Sequence, residues 1–369
     1  MKIVSQILVI IFICTIFSCK KDIPSINETF TNNNVEAGFA TSYILKDDNT
    51  LWVSGSNNDG QFGNSTYISS LTFIKVADDV IQVSGGYGHT FIIKKDKTLW
   101  VSGNNLNGEL GLGDSIHSNI NTFTKAADSV ISISCSNDFS FIIKSDFSLW
   151  ATGFNDNGQL GTGNTLQTYQ FVKVAENIKA VSAGILHTLI IDRSGFLYVS
   201  GYNGFGQFGN GLRSGSKSFV TIMDSVIAFS AGYAHSMIIR GDHSLWVAGS
   251  NLNGQIGNGT NGELRTFTKM ADNVRFISTK QSTSFYLDFS NVLYGTGKNT
   301  EGQLGDSNNA NVFTFKPIKN NISDISTNYN YSILKSASDT VWTTGNNEFG
   351  KLGSGTTNNR NYFSAVFVF

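Results

Sequence analysis

The chain has 369 residues and a formal net charge of −1, with 26 Lys and Arg against 27 Asp and Glu. Without a basic run or tail it lacks the electrostatic footprint of a nucleic-acid-binding protein. Charged residues make up 14%, below the roughly 25% of an average globular chain. The 38 glycines and 2 prolines fit many tight turns between short strands, and 3 cysteines are too few for a disulfide framework.

Met1-Lys2 leads into an apolar run from Ile7 to Phe17, then Ser18-Cys19-Lys20-Lys21. The run is shorter than the ~20 residues of a membrane span. A positive start, a short apolar core and a small residue before the break form the pattern of a secretory signal. Ile16-Phe17-Ser18-Cys19 resembles a bacterial lipoprotein signal, in which the peptidase cuts before the cysteine and the cysteine carries lipid. Ser18 and Cys19 match that pattern, while Ile16 and Phe17 depart from its Leu and small residue. The resemblance implies a signal peptide over 1–18, a lipid on Cys19 and a polar tether over 19–31. It also implies an outer-membrane lipoprotein of the cell envelope, held to the membrane by its N-terminal lipid.

From residue 32 to 369 the chain repeats. A segment such as Leu99-Trp100-Val101-Ser102-Gly103-Asn104-Asn105 begins again at Leu51, Leu149, Leu197, Leu245, Leu293 and Val341, each step 48 residues except one of 50 between Leu99 and Leu149. Seven copies at a fixed period describe an architecture before any single residue does. All 5 tryptophans fall in one column, with Tyr198 and Tyr294 completing it. Asn57 and its six equivalents recur without exception, as do two glycines such as Gly158 and Gly161. Phe73, Phe123, Phe171, Phe219, Phe267, Phe315 and Phe363 form a second aromatic column.

Each unit reads as four short strands, rich in Val, Ile, Phe and Trp and separated by Gly, Asn and Asp clusters. In the second unit they are expected at about 80–84 (a), 89–94 (b), 98–103 (c) and 123–126 (d). Apolar runs such as Phe91-Ile92-Ile93 imply burial on both faces. Four-stranded units repeated radially make a β-propeller, so the fold class is all-β, a seven-bladed β-propeller of four-stranded blades. Strand d carries Lys75, Lys125, Lys173, Thr221, Lys269 and Pro317 in one column. Lys and Pro belong on sheet edges, which places d outermost and a beside the central channel.

Trp-x-x-Gly-x-Asn-x-x-Gly-Gln-Leu-Gly over Trp150 to Gly161, with Ala183-Gly184-Ile185-Leu186-His187-Thr188 in the same phase, resembles the regulator of chromosome condensation repeat. That family's fold is a seven-bladed propeller. Its members include a nuclear exchange factor for a small GTPase, a plant photoreceptor and bacterial inhibitors of β-lactamase, functions that do not transfer with the fold.

Most columns have structural explanations. The Trp/Tyr column is expected in the interblade core, and the Gly/Asn columns are expected as turns that accept positive φ. His89, His187 and His235 are spread around a ring and cannot converge on one metal. Cys135 is expected as a buried free thiol. No nucleophile, base and acid constellation breaks the repeat, so neither catalysis nor a cofactor or metal site is expected.

In an alternating blade the a–b turns and c–d loops share one face. That face carries the two-residue insertion near Ser115 and the column that varies most: Phe39, Tyr87, Asn137, Ile185, Tyr233, Gln281 and Tyr329. Variation inside a strict repeat is where function can sit, and aromatics anchor protein interfaces. Phe39, Tyr87, Ile185, Tyr233 and Tyr329 are therefore the candidate contacts to a protein partner, which the sequence does not identify. The chain is expected to act as a monomer with no nucleic-acid partner. The alternatives are a carbohydrate- or peptidoglycan-binding surface module and a propeller enzyme.

Overall fold

A computed structural model of the chain describes residues 34–113 and 118–368. The signal segment, Cys19, the tether and Ser115 lie outside the described residues. Seven antiparallel four-stranded sheets follow one another along the chain, each in the order a-b-c-d. In blade 2 these strands are Val80–Gly85, His89–Lys94, Leu99–Gly103 and Ile120–Ala127. The blades span 35–77, 80–127, 130–175, 178–223, 226–271, 274–319 and 322–368. Among the described residues no helix is long and apolar enough to cross a membrane.

The a strands of successive blades contact one another around the ring, and the a strand of blade 7 returns to that of blade 1. The a strands therefore line the axis and the d strands form the rim, as the Lys/Pro column implies. Strands a, b and c match their expected spans closely. Strand d begins earlier, at Ile120 rather than near Phe123. Its first residues after Ile120, Asn121-Thr122, are polar and lie outside the apolar core. This stretch is ordered by main-chain pairing, Ile120 opposite Gly103 and Thr122 opposite Asn64 of the preceding blade.

That second pairing recurs at each junction. The c–d loop of one blade bridges strand d of the next, and Ser354 with Thr72 closes the ring. Two glycines make the approach possible. Gly60 (φ 81°) lies over the Asn121 backbone, where an added Cβ would come within 2.6 Å of its Cα. Gly63 (φ 63°) lies flat on the Phe123 ring, at 2.4 Å for the same added atom. Any side chain at either place combines a left-handed backbone with a collision.

The Asn column does different work from that expected of it. Asn155 is fully buried and does not adopt positive φ. Its Oδ1 accepts from Leu160 N at 3.0 Å, and its Nδ2 donates to the carbonyls of Asn164 (3.2 Å) and Leu166 (3.0 Å). One amide thus satisfies three main-chain groups of a long loop that has no sheet partner there. The tryptophans are half-buried and sit between blades: Trp100 packs on the blade 1 cluster of Tyr43, Leu51, Val53 and Phe62. Its Nε1 donates to Thr98 Oγ1 at 2.8 Å, and that hydroxyl donates to Asp96 at 2.6 Å, which ties the ring to its own hairpin.

Candidate functional site

The a–b turns stand around the axis on one face. Four of the seven turns are linked to the next by their central N–H: Phe39 N to Gly86 O (3.1 Å), Tyr87 N to Asn137 O (3.3 Å), Ile185 N to Gly232 O (3.3 Å) and Tyr233 N to Gln281 O (3.0 Å). Tyr329 N instead donates to Asn328 Oδ1 at 2.8 Å. The candidate side chains are held on this collar, at the channel mouth. Phe39 lies 4.1 Å from Tyr87 and 4.9 Å from Tyr329, centroid to centroid. Blades 7, 1 and 2 therefore build one aromatic cluster. Lys298 Nζ sits 5.5 Å from the Tyr329 ring centroid. Ile185 and Tyr233, on blades 4 and 5, stand across the axis and do not join that cluster. Tyr87, Tyr233 and Tyr329 are exposed, while Phe39 and Ile185 are half-buried.

Other exposed apolar side chains gather on the same face. Leu106, Leu166, Leu212 and Leu252 project from the c–d loops, as do Tyr67, Ile68, Tyr202 and Phe349. Among the described residues the opposite end shows Ile131, Phe196, Phe289 and Val368. A concentration of exposed apolar groups marks an interaction surface, whereas scattered ones do not. The opposite face carries instead charged hairpins such as Lys95-Asp96-Lys97 and pairs such as Lys95 with Asp79 at 3.1 Å.

Below the collar, the axis is stitched by hydroxyls. Ser84 Oγ accepts from Cys135 N, Ser134 from Ala183 N and Ser182 from Ala231 N, each at 3.0 Å, and Ser230 accepts from Thr279 N at 3.1 Å. Ser326 accepts from Ala37 N at 3.0 Å. Blade 1 breaks this column with Glu36, which accepts from Gly85 N and from Ser326 Oγ. Burial pushes its pKa up to about 7, against the pull of Lys280. Lys280 of blade 6 donates to Cys135 O at 3.2 Å and Ala183 O at 3.0 Å, across the channel on blades 3 and 4. Glu36 and Lys280 are not among the residues singled out from the sequence. The signal was present, since each is a single charge in a column of Ser or of Gly, Ser and Asn.

The histidines are structural. Nε2 of His89, His187 and His235 meets Ser140, Ser236 and Ser284 of the next blade, each at 2.8 Å. Burial holds all three pKa values down to about 3, so the rings are neutral. Cys135 is buried, and its pKa is pushed up to about 12 by that burial. A thiol in that state is not a nucleophile at neutral pH. Among the described residues no group of His, Cys, Asp and Glu is placed to hold a metal ion.

Two models of the Regulator of chromosome condensation (RCC1) repeat match this chain, one at residues 34–61, 80–109, 178–207 and 226–255, the other at 148–191. The chain carries RCC1 repeats. Its fold is similar to yeast RCC1 (Prp20) in the structure with Kap60 bound, with a TM-score of 0.79 at 15% identity, covering 93% of this chain and 86% of that one. Human WBSCR16 is similar at a TM-score of 0.77 and 16% identity, over 86% and 94% of the two chains. Prp20p from Saccharomyces cerevisiae, described with its binding to Gsp1p and histones, is similar at 0.78 and 16% identity, over 91% and 88%. At such identities the likeness is one of fold. No curated protein matches this chain in sequence.

Proposed function

We propose that this RCC1-repeat propeller is a protein-binding module of the cell envelope, lipid-anchored at Cys19, which engages its partner through the a–b and c–d face and performs no catalysis. The carrying observation is the aromatic cluster of Phe39, Tyr87 and Tyr329, at the centre of a face where exposed apolar side chains gather. Protein partners of propellers with the same fold, Kap60 in one structure and Gsp1p and histones for another, support the reading by analogy of fold.

The test begins with capture of a partner by the soluble domain from the native envelope. Replacing Tyr87 and Tyr233 by Ala should weaken that capture at least 10-fold, as loss of two aromatic anchors does. Lys95→Ala with Lys97→Ala, on the charged face, should leave it unchanged. Full capture by the tyrosine variant, with loss in the lysine variant, would place the interface on the other face. Asn137 and Gln281 stand in the same collar as the tyrosines, a mixture that also suits sugar rings. Binding of peptidoglycan fragments in place of any protein would put the carbohydrate reading first.

The anchor is tested separately. Cys19→Ala should move the protein from the membrane to the soluble fraction, or leave its leader uncut. Normal processing with continued membrane fractionation would end the lipoprotein reading.

A further inference from the structure

Beneath the aromatic collar the axial channel holds a cavity of about 310 Å³. Its lining includes three cations, Lys179, Arg275 and Lys280, and one acid, Glu36. Each cation breaks its repeat column. Lys280 stands where other blades have Gly38, Gly86, Ser136, Gly184, Gly232 and Asn328. Lys179 and Arg275 stand where others have Ile81, Ile131, Ile227 and Ser323. Symmetry of the ring does not require these charges, and removing a cation from bulk water has a cost that needs compensation.

The compensation within the protein is incomplete. Lys280 meets two main-chain carbonyls, Cys135 O and Ala183 O, which leaves one of its three donors. Arg275 donates from Nε to Asp288 O at 3.1 Å and from Nη2 to Ile322 O at 2.9 Å and Ser323 O at 3.4 Å. Its Nη1 is bonded to no described protein atom. Among the described residues neither cation is within salt-bridge distance of a carboxylate, and only longer-range attraction acts on them, from Asp324 and Asp288 on Arg275 and from Glu36 on Lys280. Glu36 accepts two hydrogen bonds of its own, and its burial leaves it only partly ionised at neutral pH. Ser134 and Ser182 accept main-chain N–H groups through their oxygens, so their hydroxyl protons remain to be donated.

The cations are ordered along the axis. Lys280 is at the collar end of strand a, and the mouth aromatics do not line the cavity beyond it. Lys179 and Arg275 are at the other end, beside the exposed Ile131. Asp324 and Asp288 attract Arg275 from outside the lining, and Asp324 is turned to Val35 N and Ile325 N. At this end the charged side chains that line the cavity itself are both cations, and cations at the entrance of a narrow, low-dielectric channel focus the field and draw in the opposite ion. We propose that the channel is a binding site for a small molecule bearing carboxylate or phosphate groups. It enters from the hairpin face past Lys179 and Arg275 and places an anionic group against Lys280, Ser134 and Ser182.

The experiment is calorimetric titration of the full-length protein with citrate and with inorganic phosphate in low-salt buffer, against sodium chloride at matched ionic strength. One of the two anions should bind with 1:1 stoichiometry. Lys280→Gln and Arg275→Gln should each weaken it at least 10-fold, Arg275→Lys should weaken it less, and Lys95→Ala should have no effect. Thermal melts of each variant report whether the ring is intact. If Lys280→Gln does not fold, Lys179→Gln and Arg275→Gln carry the test, because neither strut across the channel depends on them. Absence of binding by both anions above the chloride control would overturn the proposal. So would binding that folded Lys179→Gln and Arg275→Gln variants retain in full.

Discussion

Removal of residues 363–369 should destroy the cooperative unfolding transition of the whole ring, or lower its midpoint by more than 10 °C on a ~2 °C per kcal/mol scale for a domain this size. Strand d of blade 7, Arg360–Val368, is the outer strand of the last sheet. Phe363 is buried in the cluster of Phe285, Leu304 and Ile325, between blades 6 and 7. Phe367 faces the other way, into the seam with blade 1, where it lies 5.5 Å from Trp52 and 5.9 Å from Phe73. A core Phe→Ala change costs about 3–5 kcal/mol. Losing Phe363, which is buried, together with Phe367, which is half-buried, would therefore cost upwards of about 5 kcal/mol, against a total stability of about 5–15 kcal/mol. A linear array could lose an end and keep its centre, but here the same blade also closes the ring. Asp324 accepts from Val35 N at 3.3 Å, and Asn328 Nδ2 donates to Ala37 O at 2.9 Å. Calorimetry of the truncated chain checks this, and an unchanged midpoint would mean that blades 1 and 7 are not coupled in solution. Phe363→Ala alone should cost about 3–5 kcal/mol.

The ring was legible because the repeat's constraints are local. A Trp two residues into strand c, or a Gly where a loop must lie flat on the next blade's Phe, appears in its column whatever surrounds it. Strand d was legible only in part, since Asn121 and Thr122 are ordered by pairing with Asn64 and Ser65 of the preceding blade and not by any pattern of their own. The role of the Asn column was misjudged for a related reason: composition names a turn residue but not the carbonyls that its amide reaches, such as Asn164 and Leu166. The candidate residues of the variable column lie at the channel mouth. That Phe39, Tyr87 and Tyr329 form one cluster while Tyr233 stands apart depends on the angular positions of the blades, which no column records. Glu36 and Lys280 appear in the sequence as single departures from near-uniform columns. What they meet is set by the seven-fold axis, where residues more than a hundred positions apart face each other: Lys280 reaches Cys135.

Another such departure predicts a pH-dependent gain. Glu109→Gln should stabilise the protein by about 2–3 kcal/mol at pH 8 and by less than about 0.5 kcal/mol at pH 4.5. Glu109 stands where other blades have Gln61, Gln159, Gln207, Gln255 and Gln303, with Lys351 in the last. Each of those glutamines accepts an N–H from two residues back, as Gln159 Oε1 does from Asn157 at 3.0 Å. Glu109 copies this contact through Oε2, at 2.8 Å from Asn107 N. Its Oε1 then lies where glutamine has its amide nitrogen, buried and without a hydrogen-bond partner among the described residues. Burial pushes the pKa up from 4.5 to about 7, and repulsion from Asp138 and Asp59 adds to the shift. Nε2 of Gln207 and Gln303 is likewise buried without a partner, so the site tolerates an unpaired neutral group; the cost particular to Glu109 is that of an unpaired buried charge. Between pH 4.5 and 7 the folded chain holds a proton that the unfolded chain has released. Stability is therefore complete below that window, falls as the pH rises through it and stays reduced above it. Glutamine has no proton to lose, so its advantage appears only as the wild type ionises. Glu36 titrates over the same range, but it is common to both proteins and largely cancels in their difference. Urea unfolding of wild type and variant at pH 4.5 and pH 8 measures that difference. An equal gain at both pH values would attribute it to packing and not to the charge on Glu109.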